Sequence, residues 1–244
     1  MEAIGRFAAG IAHDFNNILG AILGYGELAQ SALQQDSAVR RYVDRMMQAG
    51  FLGKALVERI LAFSHSGIGE YVPLSVQSVV AEALDLLAPS VPPDVRLERQ
   101  LDASNATVVG DATQLQQVVM NLCTNAVHAM EHGGVLKVVL ERQTIDERRF
   151  LSHGSLETGR YVRLCVSDTG SGITAAVLER MFDPFFTTKP RGEGTGLGLA
   201  LVQGIVGDFG GSIDVATQGG AGSTFTIWLP AVDGYRFKSL VDIV

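Results

Sequence analysis

The first 66 residues contain no proline and carry apolar rows that recur every seven positions. Ile4, Ile11, Ile18 and Tyr25 form one row, and Ala8, Phe15, Ile22 and Ala29 form its partner. A sevenfold repeat keeps one stripe of a helix facing a neighbour, so it predicts a bundle seam and excludes a strand. The polar stretch Gln34-Gln35-Asp36-Ser37 interrupts the pattern, and Asp36 or Ser37 can cap a second helix. There Tyr42, Ala49, Leu56 and Phe63 recur every seven, as do Val43, Gly50 and Val57. Gly50 and Gly53 each cost a helix about 1 kcal/mol against alanine, which points to close packing or bending. Two helices alone cannot bury both seams. The simplest completion is a four-helix bundle formed by dimerisation about a two-fold axis.

The character changes after Ser66-Gly67-Ile68-Gly69, which reads as a linker over residues 67–71. Val72 to Val76 reads as a short strand and Val79 to Leu87 as a helix ended by Pro89, Pro92 and Pro93. Val95 to Leu101 alternates as a half-buried strand does, and Val108-Val109 is a further short strand. Asp111 precedes a helix to about Met130, with Leu115, Val118, Val119, Leu122, Ala126 and Ala129 on one face. Val135 to Glu141, Tyr161 to Ser167, Ser212 to Ala216 and Ser223 to Leu229 read as strands. The expected class is α+β: a helical hairpin over residues 1–66, then an α/β sandwich over residues 72–230 with one mixed sheet covered on one face by helices. Residues 144–160 read as a polar insertion, and residues 231–244 as a tail or the start of a linker to a further domain.

Formal net charge is −7 with no Lys/Arg-rich run, which argues against a general nucleic-acid binder. Cys123 and Cys165 sit in apolar stretches outside any CxxC or Cys/His cluster, so they read as buried free thiols of a reducing compartment. No apolar run approaches the roughly eighteen residues of a membrane span, and no signal peptide opens the chain. Met1 leads directly into the helical pattern, as expected of an excised fragment.

Three glycine-rich segments stand out. Asp168-Thr169-Gly170-Ser171-Gly172-Ile173 follows a strand, Gly194-Thr195-Gly196-Leu197-Gly198-Leu199 opens a helix, and Gly219-Gly220-Ala221-Gly222-Ser223-Thr224 precedes the last strand. Glycines permit close backbone approach, and amides at a helix N-terminus favour phosphate oxygens. The middle segment fits a dinucleotide fingerprint poorly: no strand abuts Gly194, and Asp214 meets the acidic spacing only weakly. Asn121 and Asn125 lie at i and i+4, on one face of an otherwise apolar helix. They read either as a water-bridged helix surface or as a hard-cation and phosphate site, since amide oxygens suit Mg²⁺.

In order, these elements and Phe182-Asp183-Pro184-Phe185-Phe186-Thr187-Thr188-Lys189 resemble the N, G1, F, G2 and G3 boxes of the sensor histidine kinases, which share an ATPase superfamily with Hsp90, MutL and gyrase B. Ala12-His13-Asp14-Phe15-Asn16-Asn17 resembles the family's phosphoacceptor box. The resemblance implies ATP and Mg²⁺ as cofactors. Asn125 holds the metal, with Asn121 on the phosphate side. Asp168 accepts from the adenine amino group, and Gly170 and Gly172 let the purine approach. Lys189 faces ribose or phosphate. Gly194, Thr195, Gly196, Leu197, Gly198 and Leu199 form a mobile lid over the phosphates, and Thr224 helps to hold adenine. It further implies that His13 takes the γ-phosphoryl group, that Asp14 accepts a proton from the imidazole or orients it, and that Asn17 orients water for dephosphorylation of a partner. That partner is a response-regulator receiver domain. A homodimer through residues 1–66, a cytoplasmic location, membrane attachment only through regions outside this chain, and origin in a hybrid kinase belong to the same expectation.

The sequence departs from the family pattern where Ile18, not proline, follows Asn17. Hydrolases of the superfamily carry a glutamate base one turn before the metal asparagine; here that position is Asn121, which cannot act as a base. A non-enzymatic dimeric scaffold with a degenerate pocket is the remaining alternative, opposed by the intact boxes.

Overall fold

The computed structural model describes residues 18–26, 28–31, 33, 39–40, 42–47, 50, 71–103, 106–189 and 196–232. His13, Asp14, Asn17, Gly194 and Thr195, with most of the expected linker and tail, lie outside the described residues. The chain divides into two compact units, residues 1–68 and 69–244.

In the first unit the described residues of 18–31 and 39–50 are helical, as the repeat requires. A side chain added at Gly26 would strike Met47, and one added at Gly50 would come within 2.8 Å of Leu23. Gln30 Nε2 donates to Asp44 Oδ1 at 2.6 Å. Across these contacts one partner's number rises as the other's falls, so the helices run antiparallel. Gly50 thus permits the close packing its poor helix propensity hinted at. Arg40 donates to the carbonyls of Gln30 and Leu33, each at 3.0 Å, at the end of the first helix, where backbone carbonyls run out of helical partners.

The second unit runs β1 (Val72–Ser75), α1 (Val76–Leu87), a 3₁₀ turn (Ala88–Ser90), β2 (Val95–Asp102), β3 (Thr107–Gly110), α2 (Ala112–His128), β4 (Gly134–Ile145), β5 (Arg149–Phe150), β6 (Ser155–Leu156), β7 (Gly159–Asp168), α3 (Ala175–Leu178), α4 (Gly198–Asp208), β8 (Ser212–Gln218) and β9 (Gly222–Pro230). Five strands form a mixed sheet in the order β2-β4-β7-β9-β8. β2 is parallel to β4, and the other neighbours are antiparallel.

Register shows how the sheet meets the helices. Leu140 pairs with Leu164 and Leu164 with Ile227; Val138 pairs with Val166 and Val166 with Phe225. Paired residues share a face, so these side chains form one buried apolar layer. α1, α2 and α4 lie over it, α2 in the middle: α1 and α4 both pack on α2. α2 buries Leu115, Val118, Val119, Leu122 and Ala126 of the row its periodicity predicted, together with Gln114 and Cys123, while Ala129, the last of that row, is half-buried at the C-cap. Asp111 starts it by accepting from the amides of Thr113 and Gln114 at 2.7 and 3.3 Å. Both cysteines are free and buried, and burial pushes the Cys123 thiol up to about 12.

Three expectations need correction. β1 and β3 do not join the main sheet; they pair with each other in an antiparallel ribbon. α1 begins at Val76, three residues early, because Ser75 caps it by accepting from Ser78 N at 3.4 Å. The insertion after β4 is not merely polar. It forms the β5–β6 hairpin, and its Leu156 packs with Ile145 and Trp228 in a small second core flanked by Leu151 and Tyr161. Tyr161 and Trp228 alternate with the residues of the main apolar layer, so this second core sits on the opposite face of the sheet. That face also holds the Cys165–Thr226 contact at 3.2 Å and the Arg163–Glu141 ion pair.

Candidate functional site

Asp168 ends β7 on the helix-covered face, paired with Leu136. It is only 8% exposed. Its Oδ1 accepts from the amides of Gly170 at 2.8 Å and Ser223 at 3.3 Å. Oδ2 has no partner among the described residues and is left to meet a donor from outside. Burial pushes the carboxyl above its usual range, while the two amide bonds pull it back only in part. Turn geometry fixes this arrangement. Ser171 N donates to Ala129 O at 3.1 Å, tying the loop after Asp168 to the end of α2, and Gly220 N donates to Ser171 O at 2.8 Å, tying it to the β8–β9 turn. A side chain at Gly170 would strike the Ala129 carbonyl, and one at Gly172 the Gln218 carbonyl. The glycines expected to admit a purine thus let protein segments close on one another.

The structure exchanges two neighbours in β9. Thr224 pairs with Ser167 and bonds its hydroxyl at 2.9 Å, on the face opposite Asp168. Ser223, one residue earlier, is buried and gives its amide to Asp168; its hydroxyl meets Thr217 Oγ1 at 3.0 Å. Ser223 therefore has the position expected of Thr224.

α2 supplies a polar stripe. Asn121 donates Nδ2 to Gln117 O at 3.0 Å, which turns its oxygen outward. Asn125 is half-buried, and its side chain has no partner among the described residues. His128 follows at i+3 from Asn125 and i+7 from Asn121, so all three share a stripe. Lys189 Nζ meets His128 Nδ1 at 2.9 Å. Burial and the Lys189 charge hold the His128 imidazole below its usual range, against a backbone hydrogen bond with Thr124; the lysine ammonium can only donate, so Nδ1 accepts this bond. His128 escaped the sequence reading, although its spacing from the asparagines was the signal.

Gly198 lies beside the same stripe. A side chain on Gly198 would stand 3.0 Å from Asn121 Oδ1. α4 starts there with no side-chain cap, so its first amides remain open to an anion. Just ahead of it, Gly196 O accepts from Phe185 N at 2.9 Å. Phe185 has φ 69°, the only non-glycine residue with positive φ among the described residues. The helical face of the sheet thus ends in a carboxylate, an amide-and-imidazole stripe, a lysine and an uncapped helix start.

Residues 110–233 match the family of histidine kinase-, DNA gyrase B-, and HSP90-like ATPases, and residues 3–68 match the His Kinase A (phospho-acceptor) domain. The chain belongs to the histidine kinases. Among relatives of this histidine kinase chain, the sensor kinase CckA of Brucella abortus (strain 2308) is 37% identical over 230 residues, covering 94% of this chain and 24% of that protein. The sensor histidine kinase ZraS of Escherichia coli (strain K12) is 31% identical over 231 residues, covering 94% of this chain and 46% of that protein. The chain therefore spans less than half the length of either relative. Full-length ShkA, solved in complex with AMPPNP, has the same fold with a TM-score of 0.72 at 24% identity, over 95% of this chain and 47% of that one. Among the described residues of the histidine kinase chain, no helix is long and apolar enough to cross a membrane.

Proposed function

We propose that this chain is the catalytic core of a protein histidine kinase that phosphorylates His13 from ATP and passes the group to an aspartate of a response-regulator receiver domain. The observation that carries the reading is Asp168. A buried carboxylate with one oxygen held by two amides and the other open suits the adenine amino group. Ser223 stands beside it and takes the role first expected of Thr224. Lys189 and the first amides of α4 meet the phosphates, with Gly194 and Thr195 continuing that cover. Asn125 and Asn121 offer neutral amide oxygens, which fit a hard divalent ion. Mg²⁺ held at Asn125 would neutralise phosphate charge during transfer.

In the transfer step, one ring nitrogen of neutral His13 attacks the γ-phosphorus as the bond to the bridging oxygen of ADP breaks. Asp14 accepts or orients the proton on the other ring nitrogen. Asn121 cannot serve as the base that a hydrolase needs, which favours protein over water as the acceptor. Residues 1–66 form the homodimer, and the receiver docks on the bundle near His13. The location is cytoplasmic, with any membrane attachment or appended receiver lying in other parts of a longer protein.

Incubation with Mg²⁺ and γ-labelled ATP should give acid-labile, alkali-stable label on the protein, absent in His13→Gln. Label retained in that variant overturns the assignment. The Asn17 position supports a second activity, dephosphorylation of the same receiver; Asn17→Ala should slow it, and an unchanged rate removes the proposal.

A further inference from the structure

The β5–β6 hairpin does more than cover apolar surface. β8 is an edge strand of the main sheet, and the loop between β5 and β6 fastens onto it. Ser152 N donates to Asp214 Oδ1 at 2.9 Å, and Ser152 Oγ accepts from Val215 N at 2.8 Å. His153 forms an antiparallel bridge with Ile213, and Ser212 Oγ donates to Ser155 O at 3.3 Å. The small core of Leu156, Ile145 and Trp228 anchors the hairpin from beneath. From this fixed loop the half-buried His153 ring reaches Phe182, edge to face, with centroids 4.8 Å apart and planes at 81°.

Phe182 opens the segment that meets the start of α4. Asp183 N donates to Arg180 O at 2.9 Å and Phe186 N to Asp183 O at 3.1 Å, so the chain turns tightly here. The turn delivers Phe185, with φ 69°, whose amide holds the Gly196 carbonyl. Gly196 has φ 65°, and any side chain there would strike the Phe185 backbone. The contacts are thus continuous from hairpin to Phe182, from Phe182 through the turn to Phe185, and from Phe185 to the residue two before α4.

We infer that His153 is a positioning residue for phosphate binding: held by Ser152 and Ser155 on the β8 edge, it fixes Phe182 and so sets where Phe185 places Gly196 and the first amides of α4. The inference rests on the reading of this cleft as an ATP site. Asp168 and Ser223 lie outside the chain of contacts, so adenine recognition does not depend on it. His153 itself touches no nucleotide.

The test is calorimetric binding of Mg-ATP and of adenosine to the full chain and to His153→Ala and His153→Phe. An aromatic edge contact of this kind sets the scale, so His153→Ala should weaken Mg-ATP roughly threefold to tenfold. Adenosine binding should change by less than twofold. His153→Phe, which keeps an aromatic ring against Phe182, should restore most of the loss, and the autophosphorylation KM for ATP should rise more than kcat falls. Equal weakening of both ligands, no weakening of either, or failure of His153→Phe to recover overturns the inference while leaving the ATP site intact. A wild-type chain that binds neither ligand overturns the reading of the cleft, and this inference with it. If His153→Ala does not fold, His153→Phe and Ser152→Ala decide the matter: Ser152→Ala should weaken Mg-ATP selectively, and unchanged Mg-ATP binding in it counts against the role.

Discussion

In the second unit Leu164, Leu122 and Ile227 are at most 1% exposed, sealed between one face of the sheet and its helices. In the first, Ile18, Ile22 and Tyr25 stand 57%, 40% and 75% exposed, although they belong to the two sevenfold rows. The contacts between its described residues use Leu23, Gly26 and Met47, off those two rows, together with Gly50 of the second helix. One unit completes its core within a single chain; among the described residues of the other, Leu23, Gly26 and Met47 lie off the rows, Gly50 belongs to one, and Ile18, Ile22 and Tyr25 of the repeat stand outside. Such a pattern is what a bundle needs when a second copy supplies the missing helices. The difference also divides labour. The self-contained unit carries every described residue of the candidate nucleotide site, and the open one carries His13.

Four measurements test that contrast. Leu164→Ala empties space in the closed core and should cost about 2–5 kcal/mol by chemical denaturation, with a midpoint for that transition independent of protein concentration. A concentration-dependent midpoint would mean the second unit is not self-contained. Asp168→Asn should weaken ATP about a hundredfold, roughly 2.7 kcal/mol, without lowering the melting temperature. The amide oxygen can still accept from Gly170 and Ser223, which turns its NH₂ toward the donor that Oδ2 would have met. Ile22→Glu puts a charge in the open seam and should raise the dimer dissociation constant about tenfold or more in sedimentation experiments, with ATP affinity unchanged. A dimer of wild-type strength would break the comparison.

The smallest effect is a slope. Burial raises the folded pKa of Asp168 above its unfolded value of about 3.9. Above the unfolded pKa the unfolded chain releases this proton first, so stability falls as pH rises through the window between the two values. Asp168→Asn should flatten that part of the stability profile; an unchanged slope would mean the carboxylate is not desolvated.

How much of this was legible depended on whether a local pattern carried the information. α2 was readable from its start, which Asp111 marks, to within two residues of its end, because a single apolar row marks its buried face. The asparagine stripe was readable for the same reason, and His128 sat in plain sequence at the right spacing. β1 and β3 were recognised as strands, but alternation reports burial and says nothing about which strand is the partner. The phase of β9 could not be read, because residues on both its faces are buried, and so Thr224 was chosen where Ser223 lies beside Asp168. The hairpin after β4 was hidden by its charges: the apolar residues that anchor it meet Trp228, some eighty positions away in sequence. His13, Asp14 and Asn17 were legible as a motif and lie outside the described residues.

Cys123 sits two residues before Asn125 on the buried side of α2, with its thiol pushed up to about 12. A thiol so rarely ionised and so fully covered is inert to alkylating reagents while α2 stays packed. Its modification rate therefore reports how often the helix that carries the asparagines lifts off the sheet. The chain contains its own clock for local opening of the candidate nucleotide site, readable by mass spectrometry of the alkylated thiol with no residue substituted, and ATP should slow it.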